Sequence, residues 1–212
     1  MTDALYPRLD ELIGTLERLR AHGGCAWDRE QTHASLVQYL VEESAELVEA
    51  IEAGDDEEMI EELGDVLYQV LFHADIAAEA GRFTLEDVAT QMTQKMVGRH
   101  PHVFGDVVAD TADEVVANWE AIKAVEKAHR TSVLDGIPAG MPALALADKT
   151  LGRAAKVGVH REPRVVPVTE DELGAELLAI VAGARAAGLD AERALRGALR
   201  SLRAQVAAAE SV

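Results

Sequence analysis

Cysteine, aromatic residues and positive charge are all scarce in this sequence. Cys25 is the single cysteine, so no intramolecular disulfide staples the fold, which fits a reducing compartment. Aromatic residues make up 4% of the chain, which removes much of the composition from which strands are built. Twenty Lys and Arg stand against 38 Asp and Glu, a formal net charge of -18. Sequence-independent binding to nucleic acid or to an anionic membrane needs a basic surface, so both are excluded as expected roles. Nowhere do apolar residues run long enough to predict a transmembrane helix. The opening MTDALYPRLDELIG is polar and charged, unlike a signal peptide, and a cytoplasmic protein is expected.

What remains is a chain of 212 residues, 49% hydrophobic, enough for one domain with a real core and a smaller appendage. Apolar residues recur at helical spacing almost throughout, which predicts an all-α antiparallel bundle. A first helix is expected over 5–21, stopped by Gly23 and Gly24, followed by a loop CAWDREQT. A second runs from a cap at Thr32 or Ser35 to Ala53. Asp55 caps a third that ends near Gly81, and Thr84 opens a fourth. After RHPHVFGD, whose proline favours a compact turn, Thr111 caps a fifth helix that fades near His129. DGIPAGMP and PRVVP punctuate a connecting segment, 136–168, and two Ala-rich helices are expected over 169–186 and 190–208.

The second and third helices carry paired acids. VEESAELVEA contains Glu43-x-x-Glu46, and EELGD contains Glu62-x-x-Asp65. A spacing of three places each pair on one helix surface. Glu43 lies about 40° from Leu47 at the edge of the apolar stripe, and Glu62 lies about 40° from Val66 at the edge of its own. Gln69 and His73 continue that flank of the third helix. Packed antiparallel, the helices bring four carboxylates together. Like charges at that range raise one another's pKa, so a divalent cation is the expected compensation. All-oxygen ligands select a hard ion, Mg²⁺ or Mn²⁺ before zinc. The alternative is a charged solvent face, but both pairs border the core stripe rather than oppose it.

Positive and aromatic counterparts are few. Lys95 and Arg99 share a face of the fourth helix and suit a polyphosphate; the alternative is a cation pair favoured by a helix C-terminus. Trp119 and Lys123 set an indole beside an ammonium, as base stacking and phosphate binding require; the alternative is a core tryptophan beside a solvated lysine. Trp27 and Asp28 lie before the second helix, placed either to close over a ligand or to pack and cap.

The ordered series GCAWDREQTH, EESAE, EELGD, KMVGRHPHVFGD and NWEAIK resembles the MazG-type nucleoside triphosphate pyrophosphohydrolases over 8–135. The resemblance implies an all-α pyrophosphatase fold, Mg²⁺ held by Glu43, Glu46, Glu62 and Asp65, and hydrolysis of NTPs to NMP and pyrophosphate. It implies phosphate and base contacts from Lys95, Arg99, Trp119 and Lys123, and a homodimer; Trp27, in the loop before the second helix, is expected beside them as a substrate-binding residue. One departure is Ala26, where the family usually has proline. Within this reading, 1–135 is a catalytic domain, 136–168 a connection, and 169–212 a degenerate partial second repeat. In that repeat Ala175 stands in the place of Asp65, and Ser201 and Gln205 in the places of Lys95 and Arg99.

Three rival readings differ in kind. A phosphoribosyl-ATP or pyrimidine-specific pyrophosphatase would share the metal site and differ in its base pocket. A di-iron bundle would use Glu30-x-x-His33 and Glu126-x-x-His129, but both lie near expected helix ends. An acidic helical dimer acting as a regulatory binding module would keep the metal for structure alone.

Overall fold

The computed structural model describes residues 6–163 and 167–211, and all regular structure among them is helical, as the periodicity predicts. The elements are α1 (Pro7–Arg20), α2 (Ala26–Glu30), α3 (Val37–Ala53), α4 (Asp56–Glu79) and α5 (Leu85–Arg99). They continue with α6 (Pro101–Phe104), α7 (Ala112–Glu126), α8 (Ala143–Ala154), α9 (Glu170–Ala186) and α10 (Ala191–Glu210). Two compact units result, Met1–Glu120 and Ala121–Val212, and the boundary falls inside α7. The helix start expected at Leu5, and residues 164–166 of the PRVVP linker, lie outside the described residues.

In the first unit, the α3–α4 hairpin is the central element. Gly54 ends α3 at φ 69°, in the left-handed region that glycine enters without a Cβ penalty. The Asp55 N–H donates to the Ala50 carbonyl at 3.1 Å. The Asp55 carboxylate then accepts from the N–H groups of Glu57 at 3.0 Å and Glu58 at 3.2 Å, capping α4. Two residues thus reverse the chain, and α3 and α4 pack antiparallel.

Leu16 of α1, Leu36 before α3, and Leu71 and Phe72 of α4 form the buried centre, with Tyr39, Tyr68 and Ile76 packed around it. At the end of α1, the Arg20 side chain is 5% exposed and donates to Asp75 and to Glu79, the latter at 2.6 Å. It also donates to the Asp28 carbonyl at 2.8 Å and lies 5.1 Å from the Phe72 ring centroid. A buried cation with this many acceptors is desolvated without being left unpaired. Thr84 and Asp87 exchange reciprocal bonds at the start of α5, a complete capping box.

In the second unit, α8 and α10 pack around Leu134, Ile137, Leu146, Ala154, Leu199, Leu202 and Val206. Glu192 of α10 accepts from the Ala143 N–H at 2.9 Å, satisfying an open donor at the start of α8. Arg153 donates to the carbonyls of Val133 at 2.7 Å and Asp135 at 3.1 Å, which ties α8 to the preceding turn.

Three local expectations differ from the structure. The loop CAWDREQT contains α2, whose five residues are too short to show a period. Thr32 and Ser35 do not cap α3 directly: they close a turn on each other, each side-chain oxygen accepting from the other's N–H, and the regular helix starts at Val37. The segment 136–168 holds α8, whose buried face is Ala143, Leu146, Thr150 and Ala154. The Gly- and Pro-rich DGIPAGMP before it reads as a loop.

Phe72 is 1% exposed, so Phe72→Ala is expected to lower the unfolding free energy of the first unit by about 3–5 kcal/mol. Trp27 and Trp119 both lie in that unit, so urea denaturation followed by tryptophan fluorescence reads it. A loss below about 1 kcal/mol would contradict the packing described.

Candidate functional site

The hairpin brings three of the four acids of the paired motifs into one cluster. Glu43 of α3 and Glu62 and Asp65 of α4, each half-buried, offer carboxylate oxygens that all lie within 4.8 Å of one another. Glu46 is exposed and stands at the rim, one turn from Glu43, where its charge raises the Glu43 pKa. The arrangement follows from the short turn: with α3 and α4 antiparallel, acids near the middle of each helix face one another at the edge of the packed stripe.

The electrostatics are those of uncompensated like charge. Partial burial, then the charges of Asp65, Glu46 and Glu62, hold the Glu43 carboxyl above its ordinary pKa. Glu62 is raised by burial first, then by Glu46, Asp65, Glu61 and Glu58. Every neighbouring group named for the two residues is a carboxylate. One oxygen of Glu62, Oε2, is buried without a hydrogen-bond partner, which costs free energy unless a ligand satisfies it. Oxygen-only donors, mutual repulsion and an orphaned buried oxygen together fit a hard divalent cation.

Antiparallel packing lets the register be followed away from the cluster. Stepping back four residues on α3 and forward four on α4 preserves the level. From Glu43 beside Asp65, one step reaches Tyr39 and Gln69, and a second reaches Ser35 and His73. The register is independently marked there, because His33 meets His73 with an Nδ1···Nδ1 separation of 2.7 Å. Gln69 is 7% exposed, and its Oε1 also lacks a partner.

Trp27 lies on α2, 49% exposed, with its ring edge-on to Tyr39 at 5.8 Å between centroids. Tyr39 precedes Glu43 by one helical turn, so a half-open aromatic wall stands one turn from the carboxylates. Lys95 is exposed on α5, whereas Arg99, on the same helix, is 7% exposed. The Arg99 guanidinium lies 5.6 Å from the Trp119 ring centroid, a stacking contact that the spacing of Trp119 and Lys123 does not suggest. Lys123 is half-buried one turn further along α7, past the boundary between the two units.

Sequence reasoning missed Tyr39, the meeting of His33 with His73, and Arg82, which donates to His33. Tyr39 was accessible from its spacing of four before Glu43. His33 and Arg82 lie in turns, where no periodicity points to a partner.

The profile for the MazG nucleotide pyrophosphohydrolase domain matches residues 31–104, the stretch that contains both acid pairs, Lys95 and Arg99. The chain is 42% identical to the nucleoside triphosphate pyrophosphohydrolase/pyrophosphatase MazG of Thermotoga maritima, over 90% of this chain and 81% of that protein. It is 39% identical to the nucleoside triphosphate pyrophosphohydrolase of Escherichia coli K12, over 90% of this chain and 82% of that protein. It is 48% identical to an uncharacterized 26.1 kDa protein of Streptomyces cacaoi, over 96% of this chain and 83% of that protein. Similarity at this level, running through the carboxylate hairpin and nearly the whole chain, makes it a member of the MazG nucleotide pyrophosphohydrolase family.

Proposed function

We propose that this protein hydrolyses nucleoside triphosphates to nucleoside monophosphates and pyrophosphate, with Mg²⁺ as its metal and Mn²⁺ as a substitute. The observation that carries the reading is the convergence of Glu43, Glu62 and Asp65, with neighbouring carboxylates raising Glu43 and Glu62 and one Glu62 oxygen unpartnered, in a chain similar to named triphosphate pyrophosphohydrolases.

Glu43, Glu62 and Asp65, with Glu46 at the rim, would hold the metal. When bound, Mg²⁺ neutralises phosphate charge and makes a coordinated water more acidic. The residues themselves account for the remaining roles. Glu46, exposed and one turn from Glu43, orients the attacking water and takes its proton as the new O–Pα bond forms. The bond from Pα to the bridging oxygen breaks, and pyrophosphate leaves with that electron pair. Lys95 and Arg99 balance its charge. Trp27 and Trp119 contact the base, and Lys123 a phosphate.

A homodimer belongs to the same proposal. Val37, Val41, Val48 and Ile51 on α3, and Ile60, Leu63, Leu67 and Val70 on α4, are all exposed. Their spacing draws one apolar stripe along each helix of the hairpin, and a second copy would cover both. Cys25 is a free thiol, in keeping with a cytoplasmic setting, and no described helix is long and apolar enough to cross a membrane.

We propose further that 169–212 is a degenerate second repeat. α9 and α10 mirror α4 and α5 in having a left-handed glycine in the turn, Gly188 at φ 68° and Gly81 at φ 64°. Asp190 then caps α10 as Thr84 caps α5. Ala175 leaves the metal pair incomplete.

Pyrophosphate release from the common NTPs and dNTPs, with and without Mg²⁺, tests the reaction. Release is expected only with metal, and Glu43→Gln and Asp65→Asn are each expected to lower kcat by about a hundredfold or more with helicity retained. If no triphosphate is turned over, the regulatory-module reading replaces this one.

The raised carboxyl of Glu62 makes a separate prediction with a definite sign. A carboxyl whose folded pKa exceeds its unfolded one binds more protons when folded, so its ionisation destabilises the metal-free protein as pH rises through that window. Glu62→Gln is therefore expected to raise the Tm of the metal-free protein at neutral pH and to reduce the Tm increase on adding Mg²⁺. A lower metal-free Tm would count against the cluster as described.

A further inference from the structure

Beyond the carboxylates, the same hairpin carries a second polar device that the hydrolytic chemistry does not use. His33, in the turn before α3, meets His73 of α4 with their Nδ1 atoms 2.7 Å apart. The rings are 8° from parallel with centroids 5.0 Å apart. With the nitrogens so close and the centroids so far, the imidazoles lie edge to edge in nearly one plane, as a direct Nδ1–H···Nδ1 bond requires. Arg82, from the turn between α4 and α5, bonds the other nitrogen of His33, Nε2.

The partners dictate where the protons are. A guanidinium only donates, so His33 Nε2 accepts and carries no hydrogen. His33 therefore holds its proton on Nδ1 and donates it to His73 Nδ1, which leaves the His73 hydrogen on Nε2. Both rings must be neutral. One further proton from solvent has two disruptive places to go: on His33 Nε2 it faces the guanidinium, and on His73 Nδ1 it faces the His33 N–H. Either replaces an acceptor with a donor and adds a cation beside Arg82.

Charged and titratable side chains on the surrounding elements include Arg20 of α1, Asp28 of α2, Tyr39 of α3, Asp75 and Glu79 of α4, and Asp87 of α5. Arg20 is bonded to Asp75, to Glu79 and to the Asp28 carbonyl, and Asp87 to Thr84. Among the described residues, Arg82 is the ion that contacts the imidazoles. Burial, then the neighbouring His33, holds the His73 pKa below the ordinary imidazole value, in keeping with a neutral pair at pH 7.

The latched turn also supports Trp27. Thr32 and Ser35 brace the turn reciprocally, at 2.9 and 3.1 Å. The Ser35 hydroxyl donates to Gln31 Oε1 at 2.7 Å, and Gln31 Nε2 donates to the Trp27 carbonyl at 2.9 Å. A short run of hydrogen bonds thus joins the histidine turn to the backbone of Trp27, whose indole lies beside Tyr39, one helical turn from Glu43.

We propose that Arg82, His33 and His73 form a one-proton latch that positions Trp27 for the nucleoside, so that proton uptake by the histidine pair weakens substrate binding while the carboxylate chemistry is left in place. This rests on the hydrolase reading of the neighbouring site. His33 and His73 are positioning residues and touch no reacting atom. The sign follows from the neutral folded pair: the unfolded chain takes up protons first as pH falls through about 6.5, and the latch is lost on the acid side.

The test measures kcat and KM at saturating Mg²⁺ from about pH 7.5 to 5.5, together with ¹⁵N NMR of the full chain without nucleotide. Wild-type KM is expected to rise about tenfold toward the acid end. In the H33N/H73N double variant that rise disappears, and kcat keeps the wild-type pH profile. The spectra should show His33 protonated on Nδ1 and His73 on Nε2 at the upper pH. The Trp27 indole N–H resonance, assigned with Trp27→Phe, should shift with the same midpoint as the pair. Arg82→Gln keeps a donor to Nε2 and removes the cation, so it is expected to move that midpoint to higher pH. Matching tautomers on the two rings, a Trp27 resonance indifferent to their titration, or an unmoved midpoint in Arg82→Gln would overturn the proposal. If no pyrophosphate is released at any pH, the hydrolase reading fails by itself, and the spectra still decide the latch.

Discussion

Holding Glu43, Glu62 and Asp65 side by side against their own repulsion is the constraint around which the first unit is organised. With neighbouring carboxylates raising Glu43 and Glu62, the geometry is imposed by the backbone that carries them. The two-residue turn at Gly54 and Asp55 fixes α3 against α4 at one end. At the other end, Leu36 and Phe72, each 1% exposed, close the core beneath Tyr39. The acids sit between two well-determined ends, so the repulsion is expressed as raised pKa values rather than as separation of the helices.

Much of this was legible in the residues. Asp55, Thr84 and Thr111 announced helix starts because a short polar side chain before an apolar period has a specific job, accepting from open N–H groups. The acid pairs were legible because each lies at the edge of an apolar stripe whose period is unambiguous. What stayed hidden was set by contacts without a period. α2 has five residues, too few to show a period, and α8 follows the Gly- and Pro-rich DGIPAGMP, which reads as a loop. The His33 and His73 contact joins residues 40 apart in sequence, and only the register of the hairpin brings them to one level.

The domain profile covers 31–104, from the turn that carries His33 through α3, α4 and α5, which is also the stretch where the buried polar atoms of the first unit accumulate. Glu62 Oε2, Gln69 Oε1 and His102 Nδ1 are buried without partners. Such atoms are costly in a fold maintained for packing alone, and two of the three, on Glu62 and Gln69, lie on α4.

The few cations complete the argument. Arg20 lies over Phe72 and is enclosed by Asp75, Glu79 and a carbonyl, Arg99 lies over Trp119, and Arg153 is bonded to two carbonyls in the second unit. Each is held by rigid acceptors or an aromatic face, so each serves as a fixed structural charge rather than a mobile counter-ion. In a chain with a net charge of -18, such placement leaves the carboxylate cluster dependent on charge supplied from solution. A mobile lysine folded onto Glu62 would lower its pKa and stabilise the empty site, but it would also compete with any incoming cation for the same oxygens. Burial and neighbouring carboxylates hold Glu43 and Glu62 above their ordinary pKa, an electrostatic setting that suits a divalent ion in the reaction proposed.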